Sequence, residues 1–205
     1  MATQKERSDA TRARLLEAFR RSILSRGLEA TTTQRVLDET GLSKGALYHH
    51  FQSKDEIIEA LYTRESKVAI ERAFDQRAEG KPPLEQLKNG CMAWLDVVKD
   101  PDVAAILFKI GPSALGQERA REIENCYGIA RLRGLLEEAR KQGAIAVDDA
   151  QLLASFVNAL VAEATLYGLK TGKEVRADLE MAIDAVLDRL TLARPNTVGD
   201  EQRMS

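Results

Sequence analysis

Residues Thr31–Asp55 read TTTQRVLDETGLSKGALYHHFQSKD. This stretch predicts two short helices joined by a tight turn, with a third helix starting directly after it. Thr33 is expected to cap the first helix, its hydroxyl accepting an otherwise unpaired backbone N–H. Val36 and Leu37 supply a small apolar face, and Thr40 is the last residue of the helix. Gly41 follows, where a left-handed turn is cheap only for glycine. Ser43 is placed to cap the second helix, and Leu47 and Phe51, four apart, share its inner face. Ser53 and Glu56 have the spacing of a capping box at the start of the third.

With Thr33 as position one, the glycine falls at position nine, Leu42 at ten and Leu47 at fifteen. That is helix-turn-helix spacing, in which the second helix enters the major groove leading with its N-terminal residues. Lys44 and Gly45 stand at that end, and Tyr48 and His49 follow on the outer face. The missing side chain at Gly45 permits close approach to bases or sugars. Lys44 suits a base edge, guanine being the usual target of lysine, and Tyr48 suits a phosphate. Lys54 opens a helix whose first amides are themselves suited to a phosphate.

These residues also carry a resemblance. Residues 27–61, GLEATTTQRVLDETGLSKGALYHHFQSKDEIIEAL, resemble the DNA-binding domain of the TetR family of bacterial transcriptional regulators. Its densest signature here is TTT, then GLSKG, then LYHHF-x-SK-x-E, and the likeness covers roughly residues 10 to 65. The departure is Leu37, where the family usually has alanine. The resemblance implies DNA contacts by Thr33, Ser43, Lys44, Gly45, Tyr48, His49, His50 and Lys54. It also implies a three-helix DNA-binding domain followed by a helical domain that dimerises and binds a small molecule.

Across 205 residues the chain is 44% hydrophobic, 30% charged and 5% aromatic, with five prolines. Apolar residues recur three and four apart, which predicts an all-α fold. Net charge is −2, but residues 1–54 carry +4 and the remainder −6, as befits a mildly basic reading module on an acidic body. Cys91 and Cys126 match no metal or redox spacing and read as two buried free thiols. The polar N-terminus is unlike a signal peptide. No apolar run approaches the ~20 residues that span a bilayer, so a cytoplasmic protein without a membrane partner is expected.

Residues 1–9 read as a loose polar terminus, with Lys5 and Arg7 near enough to meet DNA. A first helix is predicted from about Thr11 to Arg26. A long helix from Lys54 meets no breaker before Gly80. Asp100-Pro101 starts a short helix that Gly111-Pro112 is expected to end, with a turn through Gly116. Longer helices follow over 115–142, 149–171 and 175–192. The last two are apolar on more sides than a solvent-facing helix needs, which predicts a homodimer packed through them.

The domains expected are thus a DNA-binding domain over 1–55, a ligand-binding and dimerisation domain over 56–193, and a polar tail over 194–205. Trp94, Phe108, Tyr127, Phe156 and Tyr167, with the polar Asn158 and Glu163, are candidates for an effector pocket. The two histidines are adjacent, pointing about 100° apart on a helix, which is poor metal-binding geometry. No catalytic or metal set and no cofactor is predicted. The function expected is a dimeric regulator, most simply a repressor that leaves a palindromic operator when an unidentified effector binds. The alternatives are a DNA-binding dimer without a sensor and an all-α enzyme.

Overall fold

A computed structural model describes residues 3–74 and 80–192. All regular elements among them are helical: α1 Gln4–Arg26, α2 Thr33–Thr40, α3 Lys44–His50, α4 Lys54–Ala73, α5 Pro83–Val97, α6 Pro101–Ala105, α7 Gly111–Leu115, α8 Gln117–Lys141, α9 Ala150–Thr171 and α10 Arg176–Leu192. The chain forms two compact units, Met1–Ala73 with Asp96–Tyr127, and Phe74–Leu95 with Gly128–Ser205. The predicted polar tail over 194–205 lies outside the described residues, as do residues 75–79, where α4 was expected to continue.

In the first unit, Leu15, Leu16, Phe19 and Ile23 of α1 are buried against Val36, Leu37, Leu47, Phe51, Ile57 and Leu61. Each such side chain contributes about 1.5–3 kcal/mol on leaving water. Leu37 joins this core and is 7% exposed. Helix α1 begins seven residues earlier than predicted. Thr3 accepts the Glu6 amide and Glu6 accepts the Thr3 amide at 2.6 Å, a reciprocal cap that lets the helix start at Gln4. A charged layer joins α1, α4 and α6: Arg20 meets Glu65 at 3.0 Å and Asp102 at 3.4 Å, and Arg64 meets Glu65 at 2.8 Å and Glu17 at 3.4 Å.

The expected stop at Gly111-Pro112 is absent. Residues Ile106–Ile110 form a π-helical turn, and α7 continues directly from it. The Gly111 amide reaches back five residues to the Ile106 carbonyl. The wider turn accommodates the proline, which would break a tighter α-ladder. The donor next in that pattern would be the N–H of residue 112, which proline lacks. The Leu107 carbonyl instead accepts from the Tyr62 hydroxyl at 3.3 Å. The chain turns only at Gly116, φ 82°.

The second unit is built on Leu87, Cys91 and Leu95, with Leu132, Leu136 and Ala139 of α8, Leu153, Val157 and Val161 of α9, and Leu179, Ile183 and Leu187 of α10. Asp149 caps α9 by accepting the Leu152 amide at 2.9 Å. By length and composition α9 is apolar enough to cross a membrane, and 22% of its most apolar window is buried within the chain. Leu152, Phe156, Leu166, Tyr167 and Leu169 are exposed on α9, and Met181 on α10. Cys91 is buried as expected, and burial pushes its thiol up to about 12. Cys126 is exposed instead.

Candidate nucleic-acid interface

The two motif helices are set by their caps. Thr32, not Thr33, caps α2, accepting the Arg35 amide at 3.3 Å. Thr33 is the first helical residue and half-buried. The preceding Thr31 is fully buried and donates to the Gly27 carbonyl at 2.9 Å, beside the Ser22 hydroxyl at 3.1 Å, which holds the motif against the end of α1. Gly41 takes the left-handed conformation, φ 66°, and its amide reaches the Leu37 carbonyl. Arg14 of α1 donates to the Thr40 carbonyl at 3.2 Å and steadies the same turn.

Ser43 caps α3 by accepting the Ala46 amide at 3.1 Å. Leu47 and Phe51 are buried, so the opposite side of this short helix faces outward. Lys44, Gly45, Tyr48 and His49 are all exposed. The Lys44 ammonium stands 5.8 Å from the Tyr48 ring centre. A β-carbon at Gly45 would meet only the Ser43 hydroxyl, at 3.8 Å, so the gap is open to any approaching surface. His50 is half-buried, its ring 5.1 Å from that of His49 in an edge-on arrangement. Arg12 stacks its guanidinium 5.1 Å from the Phe51 ring centre.

Ser53 caps α4, accepting the Glu56 amide at 3.1 Å. Glu56 accepts the Gln52 amide at 2.6 Å, one residue before the position a regular capping box uses. Lys54 is turned inward, and its ammonium donates to the Leu28 carbonyl at 2.8 Å. Six of the eight expected contact residues, Ser43, Lys44, Gly45, Tyr48, His49 and His50, therefore share one helix and its cap. Thr33 stands at the start of α2, and the Lys54 side chain is tied into the fold. The start of α1 borders the same surface, since Lys5, Arg7 and Asp9 line an open groove with His49 and His50. The spacing Thr3-x-x-Glu6 was the sequence signal for that helix start.

Residues 15–61 match the family model described as bacterial regulatory proteins, tetR family, and residues 84–200 match that of the tetracyclin repressor-like C-terminal domain. The chain belongs to the TetR family. It is 26% identical over 208 residues to the HTH-type transcriptional regulator TtgR of Pseudomonas putida, covering 92% of this chain and 95% of that one. It is 30% identical over 101 residues to the HTH-type transcriptional repressor KstR2 of Mycobacterium tuberculosis, about half of each chain. Among solved structures, a TetR-family transcriptional regulator from Pectobacterium atrosepticum is 25% identical with a TM-score of 0.64, covering 92% of this chain and 95% of that one.

TetR-family C-terminal domains typically bind small molecules, so the placement of the predicted effector residues matters. In the second unit the Trp94 indole, half-buried, donates to the Thr165 hydroxyl at 3.1 Å. Asn158 is half-buried on α9, whereas Phe156, Glu163 and Tyr167 are exposed on the same helix. Phe108 and Tyr127 belong to the first unit, both half-buried. Tyr62, expected only on the apolar stripe of α4 with Ile57, Ile58 and Leu61, is 1% exposed and bonded to both Leu107 and Glu124. Its stripe neighbour one turn on, Ser66, is also buried, and its hydroxyl has no hydrogen-bond partner.

Proposed function

We propose that this TetR-family regulator is a homodimeric repressor that leaves its operator when a small-molecule effector binds. DNA binding is assigned to residues 1–55, and effector binding and dimerisation to 56–193. The observation that carries the reading is the outer face of α3. Lys44, Gly45, Tyr48 and His49 are exposed together, while Leu47 and Phe51 anchor the helix. Phosphate contacts by Tyr48, His50 and the Ser43 hydroxyl would set the register, and Lys44 would read a base edge.

A dimer gives two such helices and so a palindromic operator, with half-sites about 34–36 Å apart. The exposed apolar residues Leu152, Phe156, Leu166, Tyr167 and Leu169 of α9, with Met181 of α10, support dimerisation through the last two helices, since a second copy would take them out of water. Relatives named as repressors support repression. The protein is assigned to the cytoplasm, where its DNA target lies. The test is enrichment of a duplex from a randomised pool by the full-length protein, followed by footprinting. A protected palindrome spanning two successive major grooves is expected, and failure to enrich any duplex would refute the reading. Operator affinity unchanged by any member of a small-molecule library would favour a dimeric binder without a sensor.

A further inference from the structure

The first two turns of α1 and the end of α3 face each other across an open groove of about 500 Å³. Its walls carry Lys5, Arg7, Ser8 and Asp9 from α1 and both histidines from α3. Glu6, which accepts the Thr3 amide, does not line it. The Lys5 ammonium, the hydroxyls of Ser8 and Thr11 and two imidazoles against the single carboxylate of Asp9 form a surface suited to an anion. The groove adjoins the helix assigned to the major groove, so the anion nearest to hand is the operator's own backbone.

We propose that this groove receives a phosphate flanking the bases read by α3, and that His50 takes up a proton as it does so. This rests on the DNA-binding reading above. The titratable and charged groups around His50 are His49 on its own helix, Arg12 and Asp9 on α1, and Lys5 and Arg7 of α1 in the same groove wall. Partial burial, then His49 and Arg12, hold the His50 imidazole below its ordinary range, and Asp9 alone opposes them. Free, the ring is therefore neutral at pH 7. A phosphate entering the groove adds negative charge and reverses that balance, so the protonated ring becomes the better partner. Proton uptake on binding makes affinity rise as pH falls between the free and bound titration points.

The probe is the duplex enriched by the full-length protein. Its dissociation constant is expected to tighten roughly three- to tenfold from about pH 7.5 to about pH 6. His50→Gln, which keeps amide donors, should flatten that dependence while melting normally. Lys5→Ala should lower the salt slope of log affinity by about one. An NMR titration of the wild-type imidazoles provides a readout independent of any variant: the His50 resonance should titrate at higher pH in the complex. An unchanged His50 titration, a pH dependence retained in His50→Gln, or a wild-type salt slope in Lys5→Ala would each overturn the inference while leaving DNA binding intact. If no duplex is enriched at any pH, the DNA-binding reading itself falls.

Discussion

The ring of Tyr62 occupies the space that a side chain at Gly111 would need: a β-carbon there would stand 2.0 Å from the ring's Cε2. Tyr62 is 1% exposed and its hydroxyl is bonded at the far end, so the ring has little room to yield. Gly111→Ala is expected to destabilise the protein by about 1–3 kcal/mol through overpacking. Tyr62→Phe should cost a similar ~1–3 kcal/mol, because the Leu107 carbonyl loses the donor that replaces proline's absent N–H. Denaturant unfolding of each variant measures both, and a Gly111→Ala protein as stable as wild type would contradict this packing.

The single Tyr62 O–H is shared between the Leu107 carbonyl and the Glu124 carboxylate, its closer acceptor. Burial holds the Glu124 carboxyl above the usual carboxylate range, opposed by the hydrogen bond from Tyr62 and the charge of Arg121. Burial first, and then Glu124, push the Tyr62 phenol far above its ordinary range, so it stays protonated throughout. A carboxyl with a raised folded pKa contributes stability that is fully present below its unfolded value and is lost as pH rises through the folded value. Wild type should therefore lose stability relative to Glu124→Gln between about pH 4 and the raised titration point. Unfolding curves collected across that range check it, with parallel profiles for the two proteins as the contrary result.

Lys44 and Lys54 should part company on mutation. Lys44 is exposed, so Lys44→Ala should leave stability within about 0.5 kcal/mol and relax one base position at a cost of about 1–3 kcal/mol in specific binding. Lys54 is bonded to the Leu28 carbonyl, and Lys54→Ala should lower stability by about 1.5–3 kcal/mol. Thermal melts paired with binding to wild-type and singly substituted duplexes separate the two effects.

The bare face of α9 and α10 gives a test of assembly. Phe156 is 57% exposed and Met181 65% exposed in the single chain. Phe156→Glu should place a charge in the proposed interface and shift the protein to a monomer in sedimentation. Specific DNA affinity should fall with it, since one reading helix cannot span two half-sites. A Phe156→Glu protein that sediments as wild type would remove α9 from the interface.

The helix-turn-helix was legible in the chain because its determinants are local. Gly41, Ser43, Ser53 and the Leu47–Phe51 pair act within one or two turns, and a capped helix of seven residues has few alternatives. The reading slipped by one residue where two threonines could each cap α2, a choice that neighbouring contacts make. The start of α1 was legible but passed over, for its cap also lies within four residues.

Sequence alone thus determined the all-helical class, the register of the reading helix and the identity of its outward residues, because spacing and capping chemistry act over a few residues. Tertiary structure decided what happens at Gly111-Pro112, where Tyr62, 45 residues before Leu107 in the chain, supplies the Leu107 carbonyl with its missing hydrogen bond. It also turned Lys54 inward to Leu28, exposed Cys126 and left one face of α9 bare. Each of these depends on which distant surface arrives to satisfy or cover a group, and no local pattern encodes that.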